Sequence, residues 1–180
     1  MKRIIFILIV GSITFMACKS EPKTDTENTV SFDERIEITQ LDSIRAELQK
    51  AIPNVPIDLY KKAIAMHLQF VEYNADDKFA PVALDYAQGY AEQIQDLRTS
   101  ITIINRILKE YPDYKGKKML MYNKATHHDF LGDVNEAIAA YKEYLAAFPN
   151  LSADEKAEIE ELIELAPLSF EERIELQNGK

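Results

Sequence analysis

The stretch GDVNEAIAAYKEYLAAFPN, residues 132–150, decides the fold class of this chain. A proline ends it, and its apolar residues recur at helical spacing along one face: Val134, Ala137, Ile138, Tyr141, Tyr144, Leu145 and Phe148. A single helix of this length cannot bury such a face alone, because isolated short helices are marginal in water. The stretch therefore predicts a helix that packs against neighbouring helices.

The same pattern recurs every 37 residues. Two sets of residues carry this spacing most clearly: Ala63, Ser100 and Ala137, and His67, Ile104 and Tyr141. Partner helices are expected between these helices, at about residues 81–95 and 117–130. Self-similarity at such a period predicts a helical solenoid, in which each repeat packs on its neighbours.

The composition also favours an all-α fold. The chain has 180 residues with only five Gly and no Trp, and good helix formers are abundant. We expect one helical domain over residues 31–176, with the clearest repeats at 58–150 and a tail at 177–180. Its first amphipathic helix is predicted to end before Pro53 and to bury Leu41, Ile44, Leu48 and Ile52.

The first 18 residues, MKRIIFILIVGSITFMAC, are typical of an export signal. A Lys-Arg pair precedes an apolar run of 14 residues, which is shorter than the ~20 residues that span a bilayer. Cys18 ends this run and is the only cysteine, so no internal disulfide is possible. From the residues alone, a lipidated protein, an ordinary exported protein and an uncleaved anchor all stay open. The segment resembles a bacterial lipoprotein signal, which implies removal of residues 1–17 and a lipid on Cys18.

Residues 18–30 are predicted to form a disordered tether, because they are polar and carry mixed charge. Lys19 follows the cysteine in place of Asp, which is an inner-membrane retention signal in enterobacteria. The resemblance therefore implies the outer membrane, with the protein facing the periplasm.

The chain is acidic, with a formal net charge of −9. Removal of residues 1–17 takes away Lys2 and Arg3, the only charged residues there, and lowers the net charge to −11. Such a surface argues against nucleic acid and against direct adhesion to anionic lipid. We therefore expect contact with the membrane through the lipid on Cys18.

The best-formed unit resembles a tetratricopeptide repeat, whose pattern is W-x-x-L-G-x-x-Y, then A-x-x-x-F, then P. Ala125 stands at the Gly position, Ala137 at the Ala position, Tyr141 at the Phe position and Pro149 at the Pro position. Lys124 and His128 depart from the Leu and Tyr of the pattern, and the period is 37 where the common form has 34. In the two earlier units the packing positions are held by Ala63, and by Ser100 with Pro112.

This resemblance implies a right-handed α-α superhelix of about three helix pairs with terminal capping helices. Together with the leader, it is similar to tetratricopeptide lipoproteins of the bacterial cell envelope, such as the outer-membrane assembly lipoproteins and the TolA-binding protein. Such arrays bind peptides in a concave groove lined by the first helix of each pair. At this register the groove candidates are Asp85, Tyr86, Gly89, Gln93, Tyr122, Asn123, Thr126 and Asp129. A generic polar surface is the alternative interpretation.

Catalytic chemistry finds little support in the sequence. His127, His128 and Asp129 form the one group that invites a metal, but adjacent helical residues point about 100° apart and do not converge by themselves. There is no phosphate-binding glycine loop, nucleophile elbow or CxxC motif. We expect no enzyme activity, no metal and no cofactor.

The C-terminal part is predicted to cap the array. Ser152 and Glu155 form a capping-box pattern before an acidic helix. The later octet SFEERIEL at 169–176 echoes SFDERIEI at 31–38, which fits a shared capping chemistry or, alternatively, a shared docking motif.

The sequence as a whole favours a lipid-anchored adaptor that binds a protein or peptide in the cell envelope. One alternative is a structural or self-associating lipoprotein whose own terminal segments fill the groove. A weaker one is a metal-dependent enzyme at His127 and His128. The sequence leaves the partner and the oligomeric state open.

Overall fold

The computed structural model describes residues 36–178, apart from the side chains of residues 170, 177 and 178. The predicted signal peptide, Cys18, the tether and the first five residues of the octet at 31–38 lie outside the described residues. Residues 36–178 form no strand and eight helices: α1 Ile38–Ala51, α2 Ile57–Tyr73, α3 Ala80–Gln93, α4 Leu97–Glu110, α5 Lys117–Phe130, α6 Val134–Ala147, α7 Ala153–Leu165 and α8 Phe170–Asn178.

The helices pack in the order in which they occur along the chain. Each helix from α1 to α6 contacts the one that follows it, so the domain is built from consecutive helix pairs. The prediction of an all-α helical repeat is confirmed. Among the described residues no helix combines the length and apolar character that crossing a bilayer requires.

The 37-residue period is visible in the burial of the side chains. The equivalent residues of α2, α4 and α6 have no exposed surface at all: Ala63, Ser100 and Ala137, and one turn later His67, Ile104 and Tyr141. Three helices thus bury the same positions, although the residue types differ. Ala125, which faces this row from α5, is equally buried, and Pro112 and Pro149 follow the ends of α4 and α6.

The turns between paired helices repeat as well. Asp96 before α4 and Asp133 before α6 have nearly the same backbone angles, with φ −83° and ψ 68° against φ −79° and ψ 66°. One residue earlier, Gln95 and Gly132 have positive φ values of 59° and 73°. Glycine takes this left-handed conformation freely, whereas glutamine adopts it at a cost in free energy.

The end of α1 differs from the prediction. Ile52 was expected on the buried face, but its side chain is 66% exposed. The helix ends at Ala51, and Ile52 is extended with ψ 137°, as expected for a residue that precedes proline. Its side chain therefore leaves the helical face that Leu41, Ile44 and Leu48 bury.

Two main clusters of buried side chains follow one another along the array. The first runs from Ile36 through the cores of α2, α3 and α4 to Leu120, and a smaller cluster joins α1 to α2. The second joins α5, α6 and α7, and it includes Ala125, Tyr141 and Ile159. Leu108 packs against both main clusters. Because α7 adds Ile159 to the core of α5 and α6, it stacks on the array as a further helix.

Candidate functional site

The eight predicted groove residues lie on α3 and α5 in three different settings. Tyr86 and Gln93 line an open pocket beside α1. Asp85 and Asp129 accept hydrogen bonds from neighbouring segments, and Asn123 donates one to α3. Gly89, Tyr122 and Thr126 lie between these groups along the helix surfaces.

The open pocket lies between α1, α2 and α3, and we call it the tyrosine pocket. Its volume is about 410 Å³. Its walls are aromatic and polar, with Leu48 and Ile52 as aliphatic members, and the remaining residues are Arg45, Gln49, Tyr60, Tyr86, Tyr90 and Gln93. A concave site with aromatic walls and a few polar groups is the usual form of a ligand pocket.

Aromatic contacts fix the tyrosine side chains of this pocket. The rings of Tyr86 and Tyr90 stack with centroids 6.2 Å apart and planes inclined by 21°. Tyr60 contacts Tyr90 at 6.0 Å. The guanidinium of Arg45 lies 4.8 Å from the centre of the Tyr86 ring, a favourable cation–π distance. The pocket is therefore lined by rings in defined positions.

His67 lies beneath the tyrosine rings and has no exposed surface. Its ring centre is 5.5 Å from that of Tyr90 and 5.7 Å from that of Tyr86. Nδ1 lies 2.8 Å from the carbonyl oxygen of Ala63, so Nδ1 carries the proton in the neutral ring. Burial lowers the pKa of His67, and the nearby charge of Arg45 adds to that effect. The imidazole is thus a neutral packing partner of the pocket wall.

Asp85 joins α3 to the turn before α5, and both oxygens of its carboxylate already accept hydrogen bonds. Its Oδ2 accepts a hydrogen bond of 2.6 Å from the hydroxyl of Tyr114. Its Oδ1 accepts from the amide of Gln88 at 3.2 Å, and Gln88 Oε1 accepts from Ser100 Oγ at 3.1 Å. Burial and the carboxylate of Asp85 raise the pKa of Tyr114. These four side chains form one connected polar network through the core.

Gly89 lies on α3 next to open space. A Cβ atom placed on it would meet no other atom within 4 Å. Alanine would therefore fit here without a clash, and the glycine leaves the surface of α3 open at this point.

The middle of α5 is tied to α3 through one carboxylate. Asn123 donates a hydrogen bond of 3.1 Å to Glu92 Oε1, and His127 Nε2 lies 2.8 Å from the same oxygen. Thr126 donates to the backbone carbonyl of Asn123. Tyr122 is half-buried, with its ring edge-on to Tyr144 at 6.1 Å. The Asn123 amide is thus engaged with Glu92 within this chain.

Asp129 is bound by the last helix. Arg173 of α8 donates two hydrogen bonds to its carboxylate, of 2.7 Å and 3.0 Å. Arg173 also donates to the backbone carbonyls of Ala166 and Leu168. The planar guanidinium fits a carboxylate in this paired geometry. Asp129 therefore anchors the C-terminal cap.

The two adjacent histidines of α5 face different carboxylates. His127 pairs with Glu92, whereas Nδ1 of His128 lies 3.5 Å from Asp133. This divergence follows from the angle between neighbouring residues of a helix. Within the described part of the chain no group of three or more His, Cys, Asp or Glu side chains is placed to hold a metal ion.

Sequence reasoning missed most of the tyrosine pocket. Tyr86 and Tyr90 are four residues apart on a helix, and this spacing places two rings on one face. Nothing local in the sequence indicates that Arg45, Gln49 and Tyr60 meet them, because those residues come from two other helices. Comparison of the chain with protein-family models, curated proteins and solved structures gives no match.

Proposed function

We propose that the chain is a lipid-anchored adaptor of the bacterial cell envelope, related to tetratricopeptide lipoproteins, which binds a protein or peptide partner. The observation that carries this proposal is the tyrosine pocket on a repeating helical array. Its aromatic wall and its polar side chains are suited to a peptide. The lipoprotein-like leader supplies the location, the outer membrane with the domain facing the periplasm.

The array supports this role through its open surface. α7 stacks on α6 as the next helix, and among the described residues the tyrosine pocket is lined by α1 with Ile52, by α2 and by α3. The surface beside Tyr86, Gly89 and Gln93 thus stays accessible within the described chain. A recess whose aromatic rings are held by contacts with one another is pre-organised for binding, which lowers the entropic cost of association.

The lipid anchor is tested on the full chain expressed with a labelled fatty acid in a bacterium that processes lipoproteins. We expect label in the native protein and none in Cys18→Ser, together with release of the variant from the membrane fraction. Equal membrane retention of both proteins without label would refute the anchor.

The adaptor role is tested by photo-cross-linking. A photoreactive amino acid replaces Gln93 at the rim of the pocket in one protein and Glu164 on the exposed side of α7 in the control. We expect a defined protein adduct from membranes with the first protein and not with the second. The absence of any adduct specific to position 93 would count against an adaptor.

A second candidate is a lipoprotein that closes its own groove. The bidentate contact between Arg173 of α8 and Asp129 favours it, because Asp129 is one of the predicted groove residues. If α8 blocks a site at the end of α5, Arg173→Ala should increase cross-linking of a partner through a probe at position 126. Unchanged cross-linking would show that α8 caps the array and does not block a binding site.

A further inference from the structure

We propose that the tyrosine pocket binds an extended, proline-containing peptide segment that carries an acidic residue. This inference rests on the proposed adaptor function, since it names the class of peptide that the adaptor would take. It is carried by the shape of the aromatic wall, by the unpaired hydrogen-bonding groups of the lining, and by the charge of Arg45.

The aromatic wall suits proline rings. Tyr86 and Tyr90 stack nearly parallel, and Tyr60 is inclined to Tyr90 by 44°, so the pocket presents ring faces and edges side by side. Proline-rich segments form the polyproline II helix before they bind, and they dock on aromatic-lined grooves at low entropic cost. A volume of about 410 Å³ accommodates a short segment and not a folded domain.

Most polar side chains that line the pocket make no hydrogen bond within the described chain. The hydroxyls of Tyr60, Tyr86 and Tyr90 and the amides of Gln49 and Gln93 make no hydrogen bond to any described residue. Side-chain polar groups gathered round a recess and left without protein partners are available to a ligand.

The lining of the pocket supplies hydrogen-bond donors. Arg45 has N–H groups only, tyrosine hydroxyls and glutamine amides can donate, and no carboxylate from the described residues lines the pocket. A proline residue has a backbone carbonyl and no N–H, so a proline-containing segment presents acceptors to these donors. A saccharide can also pair with the tyrosine hydroxyls and glutamine amides, which both donate and accept, but it would leave Arg45 without an anionic partner.

Arg45 supplies the charge complementarity. It is the only charged side chain that lines the pocket among the described residues, on a chain whose net charge is −9. One of its N–H groups is used by Asp42 on the same helix, and the others remain beside Tyr86. An acidic residue next to the prolines would pair with Arg45, whereas a basic one would be repelled by it.

The experiment is titration calorimetry of the full chain in mild detergent with three ligands. The probe is the blocked hexapeptide Pro-Pro-Glu-Pro-Pro-Pro, the first control is the same peptide with alanine for each proline, and the second is maltohexaose. We expect binding of the proline peptide and at least tenfold weaker binding of both controls, with about a tenfold loss for Tyr86→Ala.

Two further variants and one control show whether a loss of binding comes from the pocket and not from a folding defect. Gln93→Ala removes an exposed amide of the pocket and should weaken binding of the proline peptide. The native chain should bind this peptide more tightly than an additional ligand that has glutamine in place of its glutamate, and Arg45→Gln should abolish that preference. Phe130→Ala removes an aromatic ring that is 80% exposed on α5 and should change nothing. Equal binding of the alanine peptide, tighter binding of maltohexaose, or full binding by Gln93→Ala and Tyr86→Ala would overturn the proposal.

The outcomes separate this inference from the adaptor function. A membrane cross-link through position 93 that persists in Tyr86→Ala, with no binding of the proline peptide, would leave the adaptor standing and refute the peptide class. Binding of the peptide that depends on Tyr86, without any cross-linked partner, would support the pocket and refute the adaptor.

Discussion

At the residue scale, two buried hydroxyls in adjacent rows of the array differ in whether they are hydrogen-bonded. Ser100 stands at the row of Ala63 and Ala137 and donates to Gln88. Tyr141 stands in the next row, where the tetratricopeptide pattern has Phe, and its buried hydroxyl has no hydrogen-bond partner among the described residues. An unpaired buried hydroxyl costs free energy that a paired one does not.

We therefore expect Tyr141→Phe and Ser100→Ala to change the free energy of unfolding in different directions. Removal of the unpaired hydroxyl should leave the free energy of unfolding unchanged or raise it, whereas Ser100→Ala leaves Gln88 without its donor and should lower it by about 1–3 kcal/mol. Urea denaturation of the two variants measures both. An equal loss for Tyr141→Phe would mean that its hydroxyl has a partner.

A second pair of residues tests the backbone of the repeated turn. Gln95 and Gly132 both adopt positive φ, so Gln95→Gly should stabilise the protein by about 1 kcal/mol and Gly132→Ala should destabilise it by a similar amount. A Cβ on Gly132 meets no atom within 4 Å, so the expected loss comes from backbone strain alone. Thermal unfolding of the two variants gives the comparison, and shifts of the same sign would contradict it.

Burial could be predicted from the sequence, but polar partners could not. The 37-residue spacing identified Ala63, Ser100, Ala137 and Tyr141 as packing positions, and all four are fully buried. The bond from Tyr114 to Asp85 was not foreseeable, because its two ends come from a turn and a helix separated by α4. Periodicity shows which side faces inward, whereas a hydrogen bond depends on the geometry of distant segments.

At the element scale, α7 begins with the capping box predicted from Ser152 and Glu155. The Ser152 hydroxyl accepts from the backbone N–H of Glu155, and the Glu155 carboxylate accepts in return from the backbone N–H of Ser152. Lys118 of α5 donates to the same carboxylate at 2.8 Å. Glu155 thus joins the start of α7 to the preceding pair.

This junction should make the stability of the fold depend on pH in the acid range. The ammonium of Lys118 and the donors of Ser152 lower the pKa of Glu155 from 4.5 to about 2. Because the pKa is lower in the folded state, Glu155 stabilises the fold above pH 4.5, and this contribution disappears as the pH falls towards 2. We expect the melting temperature of Glu155→Gln to fall less over this range than that of the native chain.

The matched control for this experiment is Glu164→Gln, which changes an exposed carboxylate on the same helix. Its melting temperature should fall with pH as steeply as that of the native chain. A fall in Glu155→Gln as steep as in Glu164→Gln would show that the capping carboxylate contributes nothing.

The two similar octets show where local sequence stops determining structure. In the C-terminal octet, Ile174 and Glu175 lie inside α8, and Ile174 is partly exposed. Their counterparts Ile36 and Glu37 precede α1 in non-helical backbone, and Ile36 is buried in the core of α2 and α3. The same residues take different structures because the neighbouring helices offer different contacts, so the echo could not be interpreted from the sequence.

At the scale of the whole molecule, the array has two main cores in series. Ile104 of α4 belongs to the first and Ile159 of α7 to the second, and Leu108 packs against both. In a repeat array each unit is stabilised mainly by its neighbours, so local stability can differ along the chain.

We expect two core truncations to act on different parts of the chain. Each of Ile159→Ala and Ile104→Ala should cost about 2–5 kcal/mol through lost contacts and a cavity. In hydrogen exchange, Ile159→Ala should accelerate α5, α6 and α7 and spare α2 and α3, whereas Ile104→Ala should act on α2, α3 and α4. Uniform acceleration over the whole chain by both variants would show a single cooperative unit.

The tyrosine pocket also contributes to the ultraviolet circular dichroism of the protein. The chain has nine tyrosines and no tryptophan, and three of the nine line this one recess, two of them stacked. Its near-ultraviolet circular dichroism is therefore a tyrosine spectrum in which the pocket is strongly represented. Entry of a ligand between these rings would change that spectrum directly, so occupancy can be followed without any label.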